Sequence, residues 1–375
     1  MIKRLKSVGF VTMAWLAGAA PAAAETSVAV TIAPAHSLVA RVMAGVGEPA
    51  LIVRPGASPH GYAMRPTEAA ALNDAQVVFW IGEALENWME GPLETLSADA
   101  LVVELAAVDG LTLRESRSGG VWEGHDHHDH GDDEGHDDHE DHDDHGDHDH
   151  EDHAEDGHDE HAHEDHDDHG HEADDHEAHD HEDEEHEDEE HAGDHDEHAH
   201  EGLDPHLWLD PENAKVWLTA IAATLGEADP ANAATYAANA AAARAEIDAL
   251  TTELDATLAP VRDRPFIVFH DAYQYFEARF GLNGAGSISL GDADRPSPAR
   301  VEAVRDRVRA LGRVCVFSEP QFAPKLVATV TEGSEARTGE IDPVGAALAP
   351  GASLYPQLLR AMAAEFVRCL DAAAQ

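Results

Sequence analysis

The chain is predicted to fold as an α/β protein of two lobes, each built on a parallel sheet, with a long helix joining them. Short β-rich runs alternate with helical stretches, the pattern of βα units that place successive strands side by side in one direction. Setting aside an N-terminal leader and one low-complexity segment leaves roughly 275 residues, more than one ordinary core takes up. From 230 to 258 runs an Ala-rich stretch with no internal Gly or Pro, carrying Ile247, Leu250, Leu254 and Leu258 along one stripe. That spacing predicts a single continuous helix, and a helical connector restrains hinge motion more than a Gly/Ser linker does.

The elements follow in order. Lys3, Arg4 and Lys6 precede an apolar run at 8–20 and then Pro21-Ala22-Ala23-Ala24, which reads as a secretory signal ending at Ala24. The run is too short to span a bilayer, and no other approaches ~18 apolar residues, so no stable membrane insertion is expected. With no Cys beside the cleavage point to carry a lipid, the mature chain is expected free in the periplasm. The first lobe is assigned to 25–229, with strands at 28–33, 51–53, 77–81 and 101–103 and an insertion at 123–201. The linker helix is 230–258. The second lobe is 259–375, with strands at 266–269, 314–317 and 336–341.

Asp210-Pro211, Asp229-Pro230 and Ser297-Pro298 each place a capping residue before a proline suited to the first helical position. The helix after Ser297 should bury Val301, Val304, Val308 and Leu311 and stop at Gly312. Cys315 and Cys369 are the only cysteines. Export to an oxidising compartment favours a disulfide between them over two buried thiols, and the chain-entropy model values such a bridge at roughly 4 kcal/mol.

Between 125 and 200 stand 25 His, 39 Asp or Glu and no Lys or Arg, so this segment carries 39 of the 53 net negative charges. It has too few apolar residues to offset chain entropy by burial. An acidic chain without a basic cluster beyond its leader is a poor partner for nucleic acid, which is recognised through Lys and Arg at phosphates. A solvated spacer would account for the carboxylates. It would not account for the histidines, which point to handling of a transition metal.

Only four other histidines exist: His36, His60, His206 and His270. His60 follows the second strand and His270 ends the fifth, where open sheets of the Rossmann type gather ligands at the carboxyl ends of their strands. His206 stands directly before a helix start. Grouped imidazoles suit borderline-soft divalent metals such as zinc, whereas hard cations prefer oxygen. A metal site in the cleft between the lobes is therefore expected.

Pro55-Gly-Ala-Ser-Pro-His60, Arg65-Pro66-Thr67, Asp204-Pro-His206-Leu-Trp-Leu-Asp-Pro211, Phe269-His270-Asp-Ala-Tyr-Gln-Tyr-Phe276, Ser318-Glu-Pro-Gln-Phe322 and Ile341-Asp342-Pro-Val-Gly345 are jointly specific. With them the chain resembles the zinc-specific periplasmic binding proteins of ABC uptake systems, the ZnuA family. The resemblance covers essentially the whole mature chain and includes the His-rich acidic insertion and the pair Cys315 and Cys369. It implies capture of Zn(II) at His60, His206 and His270, and delivery to an inner-membrane ABC permease with its ATPase, by a protein expected to be monomeric. Manganese- and iron-binding relatives carry a carboxylate at the position of His270. Some relatives take a fourth ligand from a Glu directly before the first histidine, but Pro59 stands there. Asp342 is the choice for the fourth ligand, with water as the alternative. His36 and Glu319 are assigned supporting roles around the ligands. The insertion would collect or sense zinc.

Two other classes compete. Three protein ligands with one open position also describe a zinc hydrolase, but no H-E-x-x-H or G-x-S-x-G occurs. In a plain metal-storage protein the insertion itself would be the function.

Overall fold

Two separate parallel sheets organise the computed structural model, which describes residues 26–117, 202–289, 291, 296–322 and 324–374. The expected leader and the His-rich insertion lie outside the described residues. The first sheet has the order β2-β1-β3-β4, with β1 at Val28–Val30, β2 at Ala50–Leu51, β3 at Val77–Trp80 and β4 at Leu101–Glu104. The second has the order β6-β5-β7-β8, with β5 at Pro265–His270, β6 at Asn283–Ser289, β7 at Cys315–Ser318 and β8 at Arg337–Glu340. Every pairing is parallel. The central strands β3 and β5 are buried almost throughout, which is why they read as continuous apolar runs rather than alternating ones.

Ten helices cover the described residues: α1 at Ala33–Val42, α2 at Pro66–Asn73, α3 at Glu83–Glu86, α4 at Glu90–Leu96, α5 at Pro211–Ala228, α6 at Ala233–Leu258, α7 at Gln274–Phe280, α8 at Pro298–Leu311, α9 at Lys325–Thr331 and α10 at Leu354–Ala374. Capping chemistry works as expected at two starts: Asp210 accepts from the Glu212 N–H at 2.9 Å, and Ser297 from the Arg300 N–H at 3.2 Å. Along α8, Val304 and Val308 are buried while Val301 and Leu311 pack at the edge of the same cluster.

Three expectations are corrected. The strand expected at 28–33 ends at Val30, because Ala33 and Pro34 already form the first turn of α1. Pro230 does not open a helix: α6 starts at Ala233, and the Asp229 carboxylate instead accepts from Asn232 Nδ2 at 2.6 Å and from the Tyr236 hydroxyl at 3.0 Å. Strand β6 was not expected at all, since its Asn-Gly-Ala-Gly start has poor β propensity. A Cβ on Gly284 would lie 2.6 Å from the Glu277 carboxylate, so that close approach requires glycine.

One hydrophobic cluster runs from β1 and α1 through α5 and α6 to α10 and the inner face of the second sheet. The buried face of α6 carries Tyr236, Ala240, Ala243, Ile247, Leu250, Leu254 and Leu258, packed against α1, α5 and α10. The connector is thus part of the core shared by both lobes. Trp208, Trp217 and Tyr236 are fully enclosed in it, and burial of a large apolar side chain contributes roughly 1.5–3 kcal/mol. Two smaller clusters cover the outer faces of the sheets. A disulfide joins Cys315 on β7 to Cys369 on α10, with Cα atoms 6.0 Å apart, and so ties the last helix to the second sheet. Among the described residues no helix is long and apolar enough to cross a membrane.

Candidate metal centre

The three histidines expected as ligands converge from three different elements. His60 sits in the turn between β2 and α2, His206 immediately before a short 3-10 turn at Leu207–Leu209, and His270 at the carboxyl end of β5. The His206 Nε2 lies 3.3 Å from that of His60 and 3.3 Å from that of His270. One ring nitrogen from each histidine lies within 4.8 Å of the other two, the only such grouping of three metal-capable side chains among the described residues. Zinc–nitrogen bonds of ~2.0–2.1 Å in a tetrahedron require nitrogens about 3.3–3.4 Å apart, so the observed spacing suits a zinc ion.

Each buried imidazole has its tautomer fixed from behind. His206 Nδ1 donates to Asp204 Oδ1 at 2.8 Å, and His270 Nδ1 donates to Glu319 Oε1 at 2.7 Å. A neutral imidazole that donates from Nδ1 presents a lone pair at Nε2, and the carboxylate behind it raises the basicity of that lone pair. Two such lone pairs facing one another at 3.3 Å repel, and a divalent cation between them turns the repulsion into coordination. Burial pushes the Asp204 carboxyl up to about 7, opposed by the backbone N–H of His206 and the nearby Arg117 charge.

The backbone around the triad is held from both lobes. Asp204 accepts from the backbone N–H of His206 at 3.0 Å, and the Tyr275 hydroxyl, on α7, donates to the Asp204 carbonyl at 3.1 Å. Trp208 Nε1 donates to the Pro343 carbonyl at 2.7 Å. Arg279 on α7 grips both oxygens of Asp210 at 2.7 Å, and the same carboxylate caps α5. Trp88 Nε1 donates to the Pro59 carbonyl at 2.7 Å and steadies the turn that carries His60.

The remaining expected residues lie at different distances from this centre. Glu319 is 2% exposed and meets His270 directly. Asp342 does not join the histidine group. Its Oδ1 accepts from Gln321 Nε2 at 2.9 Å and from the N–H groups of Val344 and Gly345 at 3.0 Å each, and its Oδ2 accepts from Ala346. Asp342 thereby shapes the turn whose Pro343 and Val344 line the histidine pocket. His36 is buried on α1, where its Nε2 donates to the Pro49 carbonyl at 2.9 Å; burial holds its imidazole below the usual range, opposed by that carbonyl. Two groups were missed from the sequence. Asp204 carried no assigned role, although an Asp two residues before a candidate ligand is placed for an Asx-type turn onto it. Arg117 carried no signal, since its partners Asp271 and Glu277 lie over 150 positions away.

Comparison with known proteins settles the family. A model described as "ZnuA: Zinc-uptake complex component A periplasmic" matches residues 28–369. The chain belongs to the ZnuA family. It is 46% identical over 374 residues to the high-affinity zinc uptake system protein ZnuA of Brucella suis biovar 1, spanning 99% of this chain and 100% of that one. The ZnuA of Paracoccus denitrificans is 43% identical over 356 residues, spanning 94% and 95%. Among solved structures, a crystal structure of ZnuA matches with a TM-score of 0.62 at 21% identity, covering 92% of this chain and 98% of that one. The SBP FpvC of Pseudomonas aeruginosa, in complex with Mn2+, matches with a TM-score of 0.64 at 18% identity, covering 93% and 99%. These likenesses show the two-lobed fold. A family of periplasmic zinc-uptake components also answers the hydrolase alternative: its members are transport proteins, not enzymes.

Proposed function

We propose that this chain is the capture component of a zinc uptake system, binding one Zn2+ between His60, His206 and His270 and passing it to an ABC permease driven by its ATPase. The observation that carries the reading is the convergence of three imidazole nitrogens within 4.8 Å, two of them with carboxylate-fixed tautomers. Membership in the ZnuA family and the zinc uptake named for its Brucella and Paracoccus relatives support zinc as the cargo. Water completes the coordination, because the Asp342 oxygens already serve their own turn. A single chain supplies all three histidines, which is compatible with a receptor that works as a monomer. The His-rich insertion acts as a collector or sensor of zinc.

The test is zinc calorimetry on the mature protein, on a form lacking 125–200, and on that form with all three histidines replaced by Ala. One tight zinc should survive the deletion and vanish with the triple replacement. If tight binding leaves with the insertion and the three replacements change nothing, the chain is a His-rich buffer and the cleft reading fails.

A further inference from the structure

Beside the triad lies a second ionic cluster that zinc capture by three imidazoles does not call on. Arg117 comes from the first-lobe chain and reaches across to two acidic residues of the second lobe. Its Nε lies 3.0 and 2.9 Å from the two oxygens of Asp271, and Nη2 also meets Oδ1. Nη1 donates to Glu277 Oε2 at 2.8 Å, and Nη2 to Oε1 at 3.3 Å. The two acidic side chains are 5% and 7% exposed. Asp271 directly follows His270 and lines the same cleft of about 430 Å³ as His60 and His206. A carboxylate therefore stands at the edge of the metal cleft with both oxygens taken up by one guanidinium.

We propose that Arg117 is a specificity-determining residue: by gripping both oxygens of Asp271 it withholds from the metal the carboxylate donor that a hard cation such as Mn2+ requires. Imidazole sets suit zinc, and carboxylate oxygens suit manganese and magnesium. Arginine fits the task because its planar fork matches a carboxylate and it does not lose its proton. Its position is fixed relative to His206, since the Ser116 N–H donates to the Gly202 carbonyl at 2.5 Å and the Asp204 N–H to the Arg114 carbonyl at 2.9 Å. Without the guanidinium, two buried carboxylates would face each other without their shared counter-charge, and Asp271, which lines the cleft with His60 and His206, would be open to an ion held there.

This inference rests on the three-histidine reading, and its test separates the two. On the full mature chain, the tight zinc is displaced with Mn2+ in the presence of a chelator. In Arg117→Met, Mn2+ should compete about tenfold better relative to the native protein, equivalent to one factor of ten in relative affinity. Adding Asp271→Asn to that variant should restore the native ratio, and Asp271→Asn alone should leave it unchanged. Arg117→Lys, which keeps the charge and loses the fork, should shift the ratio in the same direction by less, and serves if the Met variant does not fold. A ratio unmoved in both Arg117 variants, or a shift that persists with Asp271→Asn, overturns the proposal while the triad stands. A native tight zinc indifferent to loss of the three histidines overturns the triad itself.

Discussion

The three histidines are held in two different ways. His206 and His270 form a half-site that is finished before metal arrives: 4% and 3% exposed, each hydrogen-bonded through Nδ1 to a buried carboxylate, and braced by Tyr275 and Trp208 across the lobes. His60 is half-buried and rides on a turn, its own N–H on the Ser58 hydroxyl and its neighbour Pro59 tethered by Trp88. A fixed pair of imidazoles thus faces a third that is carried on a turn. Entry and release should therefore run past His60.

The sharpest way to break this comparison is by single replacement. His270→Ala and His206→Ala should each weaken zinc binding by more than the roughly 10–100-fold typical of outer-shell changes, and by more than His60→Ala, in calorimetric titration. Equal losses at all three positions would erase the asymmetry. Next in size, Glu319→Gln and Asp204→Asn should each cost about 10–100-fold in zinc affinity, whereas Ser58→Ala on the His60 side should cost far less.

Two further changes probe the lobes away from the metal. Replacing Cys315 and Cys369 with Ser should lower unfolding stability by roughly 4 kcal/mol in urea denaturation while zinc affinity holds, since the bridge ties α10 to the second sheet and touches no ligand. In the first lobe, Glu86 is fully buried, accepts from the Ile81 N–H at 2.7 Å, and burial pushes its carboxyl from the ordinary 4.5 up to about 7, opposed by Thr31 and the Ile81 and Gly82 N–H groups. An acid whose folded pKa is raised costs stability as pH climbs from the unfolded value to the folded one. Glu86→Gln should therefore be more stable than the native chain above pH 7, by up to roughly 3 kcal/mol, with the gap closing near pH 4.5. A gap that is constant across that range would mean that folding does not raise the Glu86 pKa.

The fold was legible where local chemistry is decisive. Central strands β3 and β5 are continuous apolar runs, and the Asp210-Pro211 and Ser297-Pro298 starts carry their caps in adjacent residues. It was illegible where tertiary contact overrides propensity: β6 is a strand because Gly284 admits Glu277 against its backbone, and no local pattern announces that. The histidines could be nominated because strand-end positions and residue type narrow the choice. Arg117 and the engagement of Asp342 could not, since the first depends on residues more than 150 positions away and the second on which way a carboxylate turns at the end of β8.

The common core of the two lobes bears on how a loaded receptor is told from an empty one. With α6 buried along one face and a single apolar cluster crossing from one sheet to the other, a wide clamshell swing would expose that cluster to water. Any change on loading should then be small and local. Small-angle scattering should show nearly superimposable profiles with and without zinc, and a large change in radius of gyration would rule this out. A membrane partner that responds to the filled state would then have to read a few side chains at the mouth of the cleft.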